Sequence, residues 1–559
     1  MHCKFTERLA WSLALGVLVM VACATVLSHI TIFQSTRSLF MTDSLFAGQM
    51  LAQLGGAERY VTAFVGALCQ WTWLGAAAIG LMVGGVSYLL VGRGRWWWLA
   101  MIPILYLLGG YELTDFLAAV VGVWLVVIVF AAWRSVGGVW CSLALMPLAL
   151  VAGFVICPSA FLVLVILMAV ELFFDARLNS VSRLVSVVVL GAIAWSLPWL
   201  SSLVFVVNPA LVASCVLGST ASHLDWVFFV LLFLVAVISH LGWPRFLARG
   251  WVSRAMCGAV IVVGVVSLAF TFRPALRLVM LTQQALDHEQ WEEVLRLSDK
   301  QALDNPLVQY MRTVALFRQG QLVDKIFDTP QILGPGVLFI PWQMGNNALQ
   351  IKLSDLAWAN VGIVNEALRL SFESMSGSGA NRVNVAHLAH YNRLLGRQAV
   401  AERLEKQLSR TLFYDPKVPL AKFTPGAILR GGVDSIYTST DDPTASLQHA
   451  LAVDSTNRAA ADYLALVYLL STDLRSFVAM APRLAVLYGG RLPRVYQEAL
   501  VLYRIVAAKD SAFVLENYAI DRSVLDRVKT FNSQARDVQN MSADNRRSYW
   551  YYMLSARAQ

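Results

Sequence analysis

Three acidic residues in the first half of the chain could take part in chemistry at a membrane surface. Asp43 lies in a polar stretch, Gln34–Tyr60, between two apolar runs, and Glu112 and Asp115 lie in a later break of the same kind. A carboxylate there can deprotonate a hydroxyl group or hold a divalent cation against a phosphate. The competing interpretation is that these carboxylates only supply loop polarity and that Asp43 caps a short helix, which is a common use of aspartate.

The half of the chain that carries these acids has the composition of a bilayer-embedded protein. Residues 1–272 contain 12 Lys and Arg and 8 Asp and Glu, about 7% of positions, whereas residues 273–559 contain 32 and 27, about 21%. An average soluble domain is about 25% charged. We therefore predict an all-α chain, with a polytopic transmembrane domain at 1–272 and a soluble helical domain at 273–559.

The apolar runs predict about nine transmembrane helices, because a bilayer core needs about 20 apolar residues per helix. The runs cover 9–33, 61–91, 96–110, 115–133, 139–156, 158–174, 185–207, 225–241 and 252–271, with eight to ten helices as the range. Lys and Arg accumulate in cytoplasmic loops, and ten of them fall in one alternate set of breaks against four in the other. This pattern places the N-terminus in the cytoplasm and residues 273–559 outside it.

Charge and cysteine usage disfavour several classes of protein. The net charge of +9 is spread over both halves, whereas nucleic-acid binding usually needs a clustered basic face. All seven cysteines lie in the apolar half, without the Cys/His spacing of a metal site. We expect membrane lipids as surroundings, no nucleic-acid partner and no cofactor or metal, with a divalent cation only if the carboxylates are catalytic.

The second half contains an internal repeat. Leu353–Met375 and Val385–Leu408 each have the pattern of a helix, a turn glycine and a second helix, and Gly362 and Gly396 are 34 residues apart. Thirty-four is the tetratricopeptide period, and the domain resembles such an array. Stacked helix pairs of this kind form a curved array whose concave face holds a peptide or protein segment. The open alternative is an array that only packs as a lid.

Two connecting stretches interrupt the repeat. Thr329–Asn347 has an apolar centre between Pro and Gly residues, and we favour a loop anchored in the core by Phe339 and Trp342 over one that inserts into the membrane. Phe413–Asp442 is rich in Pro, Gly, Ser and Thr, which predicts a long surface connection.

Three polar side chains of the second half share one predicted helix face: His387, His390 and Tyr391. A metal or catalytic site would need an acid or a cysteine beside them, and none is nearby in the sequence. We interpret them as surface or groove residues.

The layout of the chain resembles the GT-C class of glycosyltransferases, which use polyprenyl-phosphate-linked sugars. In that class the first outer loop carries a catalytic carboxylate, and a soluble domain often follows the last span on the same face. The resemblance implies Asp43 as the principal carboxylate and Glu112 or Asp115 as a second acid. Asp43 lacks the adjacent acid that those enzymes commonly have.

The chain also resembles a family of uncharacterised bacterial membrane proteins with a C-terminal tetratricopeptide-like domain. The segments that carry this resemblance are Leu54-Gly55-Gly56, Phe339-Ile340-Pro341-Trp342 and Phe372-Glu373-Ser374-Met375. It implies a multi-pass protein of the bacterial inner membrane with an extracytoplasmic array that recruits or organises protein partners. The alternative is a GT-C-like glycosyltransferase, so the sequence leaves open whether the protein is an enzyme.

Overall fold

The computed structural model describes residues 2–37, 39–90, 99, 101–109, 116–216, 226–241, 250–300, 305–341, 353–413, 423–426, 428, 442–507, 513–535 and 541–556. Within these ranges the secondary structure is helical, apart from an isolated β-bridge between Met41 and Thr411. The all-helical prediction is therefore confirmed. The chain forms two compact units, Met1–Arg273 with Arg410–Phe413 and Pro274–Ser409 with Tyr414–Gln559.

The described part of the first unit contains α1 to α13. Their bounds are His2–Ala24, Ser28–Ser35, Ser44–Leu51, Gly56–Leu68, Thr72–Leu90, Met101–Gly109, Phe116–Arg134, Val139–Ile156, Phe161–Phe173, Ser180–Val204, Pro209–Val216, Trp226–His240 and Gly250–Thr271. By length and composition, α5, α7, α8 and α10 could cross a membrane, and the bent pair α1 and α2 would make a fifth span if it crosses as one. Several apolar helices are thus present, and the count of about nine stays a prediction.

Two predicted spans are broken in the structure. The run 61–91 is divided between α4 and α5 by a turn at Cys69–Trp71, and the run 9–33 bends by 79° between α1 and α2. At the bend the Thr31 hydroxyl donates to the Cys23 carbonyl at 2.8 Å, giving a side-chain partner to a backbone group near the interruption. Hydropathy does not reveal such breaks, because the residues on both sides are apolar.

Glycines bring α1 and α5 into close backbone contact. A Cβ at Gly80 would lie 2.5 Å from the Gly16 carbonyl oxygen, and one at Gly84 would lie 3.0 Å from the Ser12 oxygen. Gly80 and Gly84 form the small-xxx-small pattern on which apolar helices approach closely in membranes. The two helices run in opposite directions, since residues 12 and 16 meet residues 84 and 80.

The C-terminal ends of three apolar helices meet around one carboxylate. Glu171 of α9 contacts Arg134 of α7 at 3.1 Å and the ring of His240 of α12 at 3.5 Å. The loops beyond two of these ends also touch, because Arg177 donates to the Gly137 carbonyl at 3.3 Å. These ends of α7, α9 and α12 therefore lie on one side of the unit.

The second unit begins with α14 to α17 and continues with α18 to α28. Their bounds are Pro274–Asp287, Trp291–Lys300, Pro306–Arg318, Leu322–Lys325, Asp355–Asn360, Val364–Ser378, Arg382–Leu394, Gln398–Ser409, Thr444–Val453, Arg458–Leu470, Leu474–Leu487, Arg494–Val506, Arg522–Gln534, Ala543–Arg546 and Tyr549–Ala556. Short 3₁₀ turns cover Ile326–Asp328, Gly334–Val337 and Leu515–Asn517. Most neighbouring helices along the chain pack on each other, among them α14 to α16 and α18 to α21.

Six of the described helices of this unit end in the same turn. A residue in the left-handed conformation follows the helix, and the next N–H donates to the carbonyl five residues earlier at 2.7–3.0 Å. This is the Schellman arrangement, which satisfies carbonyls that a helix end leaves unpaired. The left-handed residues are Glu289, Gly320, Gly362, Gly396, Thr472 and Gly489. Both glycines of the 34-residue spacing are among them.

The loop expected to be anchored in the core is buried there. The exposed fractions of Val337, Leu338, Phe339 and Ile340 are 0%, 0%, 1% and 6%, and the Phe339 ring lies 4.8 Å from that of Trp358. The anchoring prediction is confirmed for this part of the loop, while Trp342 lies outside the described residues.

The prediction of a surface connection over Phe413–Asp442 holds for Thr424 and Gly426, which are exposed, but is wrong for two apolar residues near its middle. Pro425 is buried and Ile428 packs against the hydrophobic core. Turn-rich composition did not reveal this, because scattered apolar residues can anchor a loop that is polar on average.

We expect Gly80→Leu to destabilise the first unit, because the added side chain forces α1 away from α5. Overpacking of this kind costs about 1–3 kcal/mol, which should lower the midpoint of thermal unfolding in detergent. The control is Gly191→Leu in α10, where an added Cβ meets no atom within 4 Å. Equal midpoints for the two variants would contradict the close contact.

Candidate functional site

Asp43 occupies the N-cap position of α3. Its Oδ1 accepts a hydrogen bond from the Phe46 N–H at 2.7 Å, which satisfies a backbone donor that the helix start leaves unpaired. The second oxygen, Oδ2, lies 3.4 Å from Nη1 of Arg410. The capping interpretation of Asp43 is thus confirmed, and both carboxylate oxygens have partners.

The residues Arg410–Phe413 belong to the first unit and run beside this carboxylate. Thr411 forms the antiparallel bridge with Met41, and the Leu412 N–H donates to the Phe40 carbonyl at 3.1 Å. At the end of the segment the Phe413 ring stacks on Trp71 with centroids 5.3 Å apart. Four consecutive residues span at most about 11 Å between their first and last Cα atoms, so Trp71 lies in the neighbourhood of the Asp43 cap.

An apolar groove of about 820 Å³ opens at Trp71. Its volume is within the range of small-molecule sites, about 300–1,000 Å³. Helices α1, α2 and α5 supply its walls, and its lining is Ala24, Ser28, Ile32, Trp71, Thr72, Trp73, Leu74 and Ala77. A hydrocarbon chain is the kind of group that such a lining favours, because few polar atoms line it.

The other two predicted site residues, Glu112 and Asp115, lie outside the described residues. The structure therefore neither brings them to Asp43 nor separates them from it. Within the described ranges, no three His, Cys, Asp or Glu side chains are placed to hold a metal ion.

A second carboxylate of the first unit is buried and hydrogen-bonded. Glu58, 7% exposed in the first turn of α4, accepts from the Ser159 hydroxyl at 2.7 Å. A Cβ at Gly122 of α7 would lie 3.3 Å from this carboxylate and 2.9 Å from the Cys157 sulfur. The sequence gives no signal for this pairing, because the partner of Glu58 is 101 residues away.

A buried carboxylate of α18 in the second unit contacts two other helices. Asp355 of α18 is 1% exposed, and its Oδ2 accepts from the Ser371 hydroxyl at 2.7 Å and the Tyr391 hydroxyl at 3.0 Å. Nδ1 of His387 lies 2.6 Å from the same oxygen. The interpretation of His387 and Tyr391 as surface or groove residues is therefore wrong, because both are buried and helix packing places an acid beside them from 32 and 36 residues away.

This arrangement differs from a nucleophile–base–acid relay. In such a relay the imidazole lies between the hydroxyl and the carboxylate, whereas here Ser371, His387 and Tyr391 all point to one oxygen of Asp355. All four side chains are buried. The cluster is suited to holding α18, α19 and α20 together. Buried polar groups are normally hydrogen-bonded, so the carboxylate favours the packing that keeps the donors of α19 and α20 beside it.

A family comparison covers nearly the whole chain. The model of DUF6057, a family of unknown function, matches residues 2–556. The chain belongs to this family. No curated protein and no solved structure matches it significantly.

The DUF6057 chain contains another buried carboxylate, between α23, α24 and α25. Oδ1 of Asp462 accepts from the Tyr488 hydroxyl at 2.8 Å and the Tyr496 hydroxyl at 2.9 Å. Burial raises the pKa of Asp462 to about 6, against the opposing effect of the two hydroxyls and of Arg458. The guanidinium of Arg458 lies 3.9 Å above the Tyr488 ring.

The raised pKa predicts the pH dependence of this DUF6057 member. Between the ordinary carboxyl pKa near 4 and about 6, the unfolded state releases a proton that Asp462 retains when folded. The free energy of unfolding therefore falls as pH rises through this window, by up to about 3 kcal/mol, and this contribution levels off above it. We expect Asp462→Asn to remove this fall when unfolding midpoints are measured from pH 4 to pH 7.

The control for this comparison is Asp526→Asn, since the Asp526 side chain is 61% exposed and should leave the wild-type pH profile unchanged. If Asp462→Asn retained the whole fall between pH 4 and pH 6, another group would be responsible.

Proposed function

We propose that the chain is a multi-pass protein of the bacterial inner membrane whose second unit is a tetratricopeptide-like array that binds a protein or peptide partner outside the cytoplasm. The observation that carries this proposal is the turn shared by six helices of the second unit. Repetition of one turn produces helix pairs of one kind, and such pairs can bury their apolar stripes by stacking.

The repeat interpretation is supported where spacing and geometry agree. Gly362 and Gly396, 34 residues apart, have φ values of 85° and 79°, and the helices on either side of each glycine pack together. Phe372 on α19 is 56% exposed and Val400 on α21 is 46% exposed. Exposed apolar side chains on such a scaffold suit contact with another protein.

The proposed topology has about nine spans, a cytoplasmic N-terminus and an extracytoplasmic second unit. The contacts among helix ends support this alternation. In that topology α7, α9 and α12 all run toward the cytoplasm, which agrees with the contacts of Glu171 to Arg134 and His240. On the other side, the start of α4 meets the end of α8, since the Gly55 N–H donates to the Val155 carbonyl at 3.0 Å.

Reporter fusions test this topology. We expect fusions after Gly94 and Val136 to report the cytoplasm and a fusion after Lys300 to report the outside, because Arg-rich loops resist translocation. The reporters are an enzyme active only after export and a fluorescent protein active only in the cytoplasm. A cytoplasmic signal after Lys300 would remove the external array from the proposal.

The glycosyltransferase alternative rests on Asp43 as a free catalytic carboxylate. In the structure Oδ1 of Asp43 caps α3, and Oδ2 faces Arg410. Both carboxylate oxygens of Asp43 thus have contacts within the chain, which supports a structural role for this residue. The apolar groove at Trp71 suits a lipid chain under either interpretation, so Asp43 favours the binding function.

Site-specific photo-crosslinking in intact cells tests the binding function. A photoreactive amino acid at Phe372 should give one discrete protein adduct, because this exposed side chain would lie at the partner-binding surface. The matched position is Val188 of α10, which is 61% exposed on a lipid-facing apolar helix in the proposed topology. Adducts at neither position, or the same adduct at both, would contradict the proposal.

The same cells, with the photoreactive amino acid at position 372, also test the enzyme alternative. Asp43→Asn keeps a capping side chain but removes the charge, so the adduct at Phe372 should persist and surface glycans should be unchanged. Loss of a lipid-linked or surface sugar in this variant, with the protein inserted at its normal level, would favour the glycosyltransferase instead.

A further inference from the structure

Phe423 contacts two helices of the second unit, α16 and α20, through its side chain and its backbone. The guanidinium carbon of Arg318, at the end of α16, lies 3.3 Å from the centroid of the Phe423 ring. The ring of Phe317 meets the same ring edge to face at 6.1 Å. Nε2 of His390 on α20 is hydrogen-bonded to the Phe423 carbonyl oxygen. Recognition of a side chain together with its own carbonyl is the way in which a groove holds an extended peptide.

The guanidinium of Arg318 is only partly satisfied by this arrangement. Its Nε and Nη1 are buried and have no hydrogen-bond partner within the described residues. The guanidinium of Arg318 also lies 5.5 Å from the centroid of the Trp291 ring. Aromatic faces therefore surround this charge, whereas a carboxylate would also accept its hydrogen bonds. Burial lowers the pKa of Arg318 to about 10, which still leaves it charged at neutral pH.

The unpaired donors indicate what the pocket prefers. A buried charged donor without an acceptor is costly, and a carboxylate can take two guanidinium N–H groups at once. Phe423 offers a ring and a carbonyl to this pocket, but no anion. A peptide that offers an aromatic ring with a carboxylate next to it would make both kinds of contact.

We propose that Trp291, Phe317, Arg318 and His390 form a docking site for an aromatic residue that carries an adjacent carboxylate in a partner peptide, and that Phe423 occupies this site in cis until the partner displaces it. The inference rests on the proposed binding function and names the peptide chemistry that the second unit recognises. His390 donates through Nε2 to the backbone of the occupant, and Arg318 pairs with its anion. The residues of this pocket all belong to the second unit.

A peptide-binding measurement on the full chain in detergent tests this site. The probe is a fluorescein-labelled pentapeptide that ends in phenylalanine with a free carboxylate. We expect Phe423→Ala to bind the probe at least tenfold more tightly than the wild type, because the competing ring is gone. The matched control, Val486→Ala, removes an apolar side chain of α24 that is 81% exposed outside the pocket and should bind as the wild type does.

The carboxylate requirement is tested in the Phe423→Ala background. Amidation of the probe should weaken binding at least tenfold, and so should the additional change Arg318→Met, which keeps an unbranched apolar stem but removes the charge. Equal affinity of the acid and amide probes would overturn the role of Arg318. Equal affinity of Phe423→Ala and wild type would overturn the occupancy in cis.

A second measurement covers the case in which Phe423→Ala does not fold. 4-Fluorophenylalanine placed at position 423 of the otherwise unchanged chain gives a fluorine resonance for the docked ring. Excess acid probe should shift this resonance toward the solvent-exposed value, whereas the amide probe should not. If saturating acid probe does not shift this resonance, the probe does not displace the Phe423 ring and the proposal is overturned.

The outcomes separate this inference from the proposed function. If Phe423→Ala binds the probe but position 372 gives no adduct in cells, the docking site is supported and the proposed cellular partner is contradicted. If position 372 gives an adduct that neither Arg318→Met nor Phe423→Ala changes, the cellular partner is supported and the docking site is overturned.

Discussion

The second unit depends on one backbone constraint, the left-handed residue that ends six of its helices. An L-residue adopts this conformation at a cost, which glycine avoids because it has no Cβ. Four of the six positions are glycines, including Gly320 and Gly362, whereas Glu289 and Thr472 carry the cost. In each turn the hydrogen bond across the helix end satisfies carbonyls that would otherwise be unpaired. The direction of the helix that follows each of these turns, and hence the packing of these helices, starts from this geometry.

Buried carboxylates also connect helices of the second unit. Asp355 and Asp462 each hold several helices of the second unit through hydroxyl and imidazole donors. Glu498 is fully buried and accepts from Arg527 at 2.7 Å and from the Tyr549 N–H at 2.9 Å. These carboxylates favour one particular packing of the helices, because a buried charge is costly in any arrangement that lacks its hydrogen-bond donors.

The sequence predicted the features that depend on local pattern. Helical periodicity and composition indicated the all-helical chain, the preference of aspartate for N-caps predicted the role of Asp43, and an apolar centre between turn residues predicted the anchoring of Phe339. It did not reveal the 79° bend after Ala24, because apolar residues continue on both sides. It also missed Asp355 as the partner of His387, since that contact forms only when successive helices pack.

The candidate binding pocket was beyond sequence reasoning for the same reason. Arg318 and His390 are 72 positions apart, and Phe423 comes from a stretch whose composition predicts a surface loop. A single chain contains no signal that joins such residues. The repeat period of 34 predicts that helix pairs recur, but it does not predict which side chain fills the space between them.

The close contact between α1 and α5 has a consequence for biosynthesis. Gly16 meets Gly80, and 63 residues separate them in the chain. A ribosome delivers about 5–20 residues each second, so the first helix leaves it several seconds before its partner exists. In the proposed membrane topology, its glycine face has to be held by lipid or by the insertion machinery during that interval. In that topology, the order of translation makes the entry of α5 into the membrane the step that completes the first helix pair.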